Sequence, residues 1–150
     1  MMKTTMFMAK YEEQTFAVLR IVLGFLFLWH GSQKLLNYPP LPPGIKMPLY
    51  ILVIGGPIEL LGGLLLITGF LTRWTALICS GEMAYAYWIG HGTHAVLPLV
   101  NHGELAMIYC FLFLFISSRG SGIFSVDNYL KNRKEILQKD NTSSNSLHNF

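Results

Sequence analysis

Charge is scarce in this chain. Asp, Glu, Lys and Arg make up 13% of its 150 residues, about half the share of an ordinary water-soluble domain. That shortage excludes a disordered chain, a soluble nucleic-acid binder and an ordinary cytosolic enzyme. Cysteine is scarcer still, with only Cys79 and Cys110. Two such distant residues make neither a disulfide scaffold nor a CxxC motif, and they read as small buried apolar side chains. No HExxH helix, glycine-rich phosphate loop, nucleophile elbow or kinase signature occurs, which leaves no familiar catalytic motif.

Apolar surface is what the chain has in quantity. Hydrophobic residues make 52% of it, the mean hydropathy is +0.42, and these residues fall in four long blocks, at about 15–36, 49–70, 72–89 and 103–118. A bilayer core needs roughly 20 helical residues, with about 17 tolerated. The first block is expected to be a retained helix rather than a cleaved signal: Glu12 and Glu13 flank it, Arg20 interrupts it and no A-x-A site follows. The expected fold is therefore an all-α membrane protein, a four-transmembrane-helix bundle. Residues 15–128 would form the membrane domain, after a cytoplasmic segment 1–14 and before a polar, disordered cytoplasmic tail 129–150.

The connections differ in kind. Residues 37–48 hold five of the seven prolines and should be extended. Only a few residues around Leu71–Arg73 separate the second and third blocks, so these should form a tight antiparallel hairpin. Residues 90–102 carry His91, His94 and His102 but no other ionisable side chain. Lys3, Lys10, Arg73, Arg119, Lys131, Arg133, Lys134 and Lys139 fall on one side of such a topology, against Lys46 and the helix-end Lys34 on the other. The positive-inside rule then places both termini in the cytoplasm, and the pI near 8.9 reflects topology rather than nucleic-acid binding.

The informative residues are ionisable ones inside apolar blocks: Arg20, His30 and Lys34 in the first, Glu59 and Glu82 in the next two, and Glu104 opening the fourth. A charge at mid-bilayer costs roughly 2.5–3.5 kcal/mol even on the lenient insertion scale. Mutual compensation across a bundle interior is expected, either as a functional polar core or as ion pairs that only fix helix register. Arg20, Gly24, Phe27, Gly31 and Lys34 share one helical stripe. Gly55, Gly56, Gly62 and Gly63 share the face of Glu59, so a neighbouring backbone can come close there. Glu59 is expected to pair with Arg20 or Lys34, Lys34 to lie near Glu104, and Glu82 to act as a ligand-binding acid. The polar set is densest from mid-membrane outward, which suggests a pocket open to the outer side or the outer leaflet. His91, His94 and His102 suit a metal by type, yet HxxH in a loop reads better as hydrogen-bonding or pH-sensitive groups. Trp29, Tyr85, Tyr87 and Trp88 fit an outer interfacial belt, on which a quinone-like ring could also stack.

At these residues the sequence resembles the DoxX family of small bacterial inner-membrane proteins. The matching elements are Arg20 with Leu23-Gly24, His30-Gly31 and Lys34, Ile58-Glu59-Leu60 with Gly62-Gly63, and Gly81-Glu82-Met83. They continue through His91, Asn101, Gly103-Glu104-Leu105-Ala106 and Tyr109 to Ser125 and Asp127. The resemblance spans about residues 15–128, with His94 and His102 as departures that weaken a metal site. It implies a four-helix membrane bundle and a redox subunit linked to quinone or to sulfur and thiol chemistry. Arg20, His30, Lys34, Glu59, Glu82, His91, Asn101 and Glu104 would then form a ligand-binding charge network. The sequence supplies no electron carrier, so catalysis would need a bound cofactor, of which a quinone is the candidate, or a redox partner protein; self-association is a further expectation. A small-solute permease and an assembly or cargo-binding factor remain the alternatives.

Overall fold

The computed structural model of the protein describes residues 8–44, 46–93 and 95–147, with side chains through residue 139. It is helical, with no strand among the described residues. After a 3₁₀ turn, α1 runs over Glu12–Leu36. Its acidic first turn, Glu12 and Glu13, suits the positive end of the helix dipole. It stops at Asn37, which adopts the left-handed conformation (φ 52°) just before the proline-rich connection.

A π-helical turn, Ile51–Gly55, leads directly into α2, Gly56–Thr68. Gly69 closes α2 with φ +67°, a conformation that costs glycine little. After the turn, α3 covers Thr72–Tyr85 and continues into a second π turn, Ala86–His91. The short α4, Pro98–Asn101, precedes α5, Glu104–Arg119. α1, α2, α3 and α5 fall on the four apolar blocks of the sequence, and α4 falls in the connection between the third and the fourth; the two π turns have no counterpart in the sequence reading.

The ends of α3 and α5 are completed by distant side chains. Asp127 accepts the backbone N–H groups of Leu71 and Thr72, each at 2.9 Å, and so caps α3. Arg73 donates to the carbonyls of Ser117 (2.9 Å), Ser118 (2.5 Å) and Arg119 (3.0 Å) at the end of α5. A cation at a helix C-terminus also offsets its dipole.

Glycine brings α1 and α2 together. A Cβ on Gly24 would lie 2.8 Å from the Gly63 carbonyl oxygen, and one on Gly63 would lie 2.6 Å from that of Gly24. Gly31 abuts the Leu60 backbone and Gly56 the Leu35 side chain, while Gly62 faces Cys79 of α3. Gly63→Ala should therefore push two backbones apart and cost about 1–3 kcal/mol, read as a lower Tm in detergent. Phe27 of α1 and Tyr109 and Phe113 of α5 fill the interior, with Phe27 and Phe113 ring centres 4.8 Å apart.

The outward faces are apolar. Val18, Phe25, Leu61, Ile78, Ile108 and Phe111 are all exposed, an arrangement suited to lipid rather than water. Among the described residues, two helical stretches are each long and apolar enough to cross a membrane: Ala9–Leu36 (28 residues, mean hydropathy 1.5) and Ile51–Thr68 (18 residues, 2.1).

The structure departs from the expected disordered tail: α6 occupies Val126–Leu147. Asp127 and Ser125 fix its first turn, Ser125 Oγ accepting the Asn128 N–H at 3.2 Å. Averaging over a Lys/Asn/Ser-rich stretch hides its helical spacing of apolar residues.

Candidate functional site: an acid–lysine cluster at the end of an apolar cleft

Three helices deliver three ionisable side chains to one place. Lys34 stands in the last turn of α1, Glu59 in the first turn of α2, and Glu82 in the last turn of α3. Lys34 Nζ forms an ion pair with Glu59 Oε1, and the two side chains are 15% and 3% exposed. Glu82 joins beside Gly55: a Cβ on that glycine would lie 2.9 Å from Glu82 Oε1 and 4.0 Å from Lys34 Nζ. The missing side chain thus leaves room for both groups at the Gly55 backbone.

The cluster is not self-contained. Glu59 Oε2 and Glu82 Oε2 are buried without a hydrogen-bond partner. With both acids ionised, two negative charges face one positive charge, and such groups are costly to leave unbalanced away from water. A proton, or a ligand that donates hydrogen bonds, would complete the set.

Glu82 and Lys34 open onto a cleft of about 560 Å³. Its walls are mostly aliphatic, with Ile51, Ile54, Ile58 and Ile78 among them, and His91 also lines it, with Tyr50 and Tyr85. Both π turns contribute to the lining. Such turns break the regular hydrogen-bond ladder and are frequent at functional sites. A shape of this kind, apolar with a few convergent polar groups, suits a small molecule with a greasy body and a polar head.

His91 is held by the loop before α5. Its Nδ1 lies 3.0 Å from the Asn101 carbonyl oxygen. A carbonyl only accepts, so Nδ1 carries the hydrogen and Nε2 of the neutral ring is an acceptor. Asn101 organises that loop: its Nδ2 donates to the Ala95 carbonyl (2.8 Å) and its Oδ1 accepts the Gly103 N–H (2.7 Å). Tyr87, placed by its sequence in an interfacial belt, is instead buried, its hydroxyl donating to the Val96 carbonyl at 2.6 Å. Trp29, Tyr85 and Trp88 are exposed.

Arg20 stands apart from this network. Fully buried, it donates to the carbonyls of Leu66, Ile67 (3.0 Å), Ile123 (3.5 Å) and Phe124 (2.8 Å), joining the end of α2 to the segment before α6. The expectation of an Arg20–Glu59 pair is corrected accordingly. So is that of Lys34 beside Glu104: the lysine turns to α2, and Glu104 is exposed at the start of α5. His30 is exposed, its ring edge-on to Tyr109 at 6.2 Å. His102 is exposed with φ 57°, and His94 lies outside the described residues. Among the described residues no group of three His, Cys, Asp or Glu side chains could hold a metal ion.

A second cavity of about 540 Å³ lies at the other end, beside Arg73, Arg119 and Asp127. Apart from the exposed Lys131, its charges are already engaged: Arg73 caps α5, Asp127 caps α3, and Arg119 pairs with Glu12 (3.1 Å) and Glu13 (2.6 Å). The acid–lysine cleft is therefore the stronger candidate.

The family model named DoxX matches residues 15–92. An uncharacterized protein of Haemophilus influenzae is 40% identical over 126 residues, covering 79% of this chain and 92% of that protein. The inner membrane protein YqjF of Escherichia coli is 32% identical over 136 residues, covering 84% and 99%. No solved structure matches the chain.

Proposed function

The chain belongs to the DoxX family, and from that premise we propose that it is the membrane subunit of a quinone- or thiol-linked redox system. It is a bacterial inner-membrane protein. In the proposed arrangement α1, α2, α3 and α5 all cross the bilayer as one bundle, residues 15–128, with both chain ends in the cytoplasm. The distribution of lysine and arginine supports that orientation. A periplasm-active reporter fused after Asn132 should stay silent, and activity there would reverse the topology.

The observation that carries the ligand reading is the unpartnered Glu82 Oε2 at the end of an aliphatic cleft. A quinol hydroxyl or a thiol would donate to that oxygen, and a quinone carbonyl would accept from the Lys34 ammonium. The isoleucine walls would hold a hydrocarbon body and exclude water. A quinone, when bound, supplies the two-electron capacity that the chain's own side chains lack. Glu82 and His91 then hold or pass protons at Oε2 and Nε2, while the Lys34–Glu59 pair keeps the ammonium in place. Exchange of electrons with a partner protein completes the role.

Native mass spectrometry of the mildly solubilised protein, with a short-chain ubiquinone or menaquinone analogue added, tests this reading. The wild type should carry the analogue. Glu82→Gln should weaken binding about tenfold or more, the usual effect of losing a hydrogen bond to a charged group. Equal binding by the two proteins would remove Glu82 from the site.

A further inference from the structure

α6 carries a pattern that the helices before it do not explain. At 100° per residue, Val126, Tyr129, Leu130, Ile136 and Leu137 fall on one side, with Arg133 among them. Tyr129 is 64% exposed, Ile136 60% and Leu137 54%. Lys134 borders the apolar side, and Lys131 and Lys139 lie beyond it. The acids do little to offset these bases, because Asp127 is engaged in capping α3 and only Glu135 remains before residue 140.

The start of α6 is fixed in space. The Asp127 carboxylate ties it to the α2–α3 turn, the Asp127 N–H donates to the Gly69 carbonyl at 3.0 Å, and Ser125 caps the first turn. Phe124, just before it, is 70% exposed. The helix thus leaves from the end of a set of helices whose outward faces are apolar, where the edge of a bilayer would lie.

We propose that α6 is a surface anchor that lies along an anionic lipid leaflet, apolar side in the acyl boundary and basic side chains on the headgroups. An apolar side in the acyl boundary under a basic polar face is the usual design of an interfacial helix. Here Lys134 borders the stripe, the long Arg133 side chain within it can reach the headgroups, and Lys131 and Lys139, farther round, add attraction to the anionic surface. A second copy of α6 is a poorer occupant, since four bases would meet four bases. The anchor needs only that the chain be embedded in a membrane, and it stands independently of the ligand in the cleft.

Amide hydrogen exchange over residues 126–139 of the full-length protein tests the anchor. The protein is placed in nanodiscs of phosphatidylcholine alone, and in discs with about 30% phosphatidylglycerol. Exchange should be about tenfold slower in the anionic discs at low salt, and that difference should disappear in about 0.5 M salt. Replacing Lys131, Arg133, Lys134 and Lys139 by Gln should also abolish it without touching the Asp127 cap. Equal exchange in the two lipids would overturn the proposal. So would protection seen only when a disc holds two copies, or only when a soluble acidic protein is added.

Discussion

Glu59→Gln should lower the Tm of the detergent-solubilised protein by about ten degrees, corresponding to roughly 3–5 kcal/mol. The reason lies in what the substitution leaves behind. Lys34 is only 15% exposed and its ion-pair partner is Glu59, so the variant holds a largely buried ammonium without that counter-charge. Joining Lys34→Met to Glu59→Gln removes the stranded charge and should restore most of the loss. Should the double variant melt as low as the single one, the pair is not what Glu59 contributes. An unchanged Tm in Glu59→Gln would show that the acid is not held as an ionised partner of Lys34.

Arg20→Lys should be at least as damaging, despite keeping the charge. The guanidinium reaches carbonyls in two chain segments, Leu66–Ile67 and Ile123–Phe124, and an ammonium cannot span that fork. Each buried carbonyl left unsatisfied costs about 1–3 kcal/mol, so a loss of 3 kcal/mol or more is expected, seen as a lower Tm and reduced accumulation in the membrane. Arg20 and Glu59 belong to separate networks, so their effects on stability should add. Strong non-additivity would mean that the two sites communicate.

These two residues also show where the sequence is readable and where it is not. The positions of α1, α2, α3 and α5 are legible because each is a long apolar block ended by Asn37, Gly69, the residues after Tyr85 or Gly120. Lys34, Glu59 and Glu82 are legible as residues that need partners, since lipid offers none. The pairing is not. Spacing along one helix says nothing of which neighbour it packs against, so Glu104 and Glu59 look equally available to Lys34. Only the glycine contacts of α1 on α2 settle the choice.

Arg20 illustrates a different limit. Sequence displays acids but not backbone carbonyls, so a buried arginine invites the search for a carboxylate. Its acceptors instead include carbonyls more than a hundred residues away. The π turns are invisible for another reason: over a single turn, their spacing of apolar residues cannot be told from that of an α-helix. They nonetheless shape the cleft, because Ile54, Gly55, Ile89 and His91 line it from those turns.

The most direct test of a ligand site in that cleft is photo-crosslinking with an azido-quinone in native membrane vesicles, mapped by peptide mass spectrometry. The account predicts adducts confined to Lys34 and to residues 47–58 and 78–91, competed by unmodified quinone and diminished in Glu82→Gln. Adducts spread over the outward faces, at Val18, Phe111 and Leu114 for example, and insensitive to competitor would contradict it.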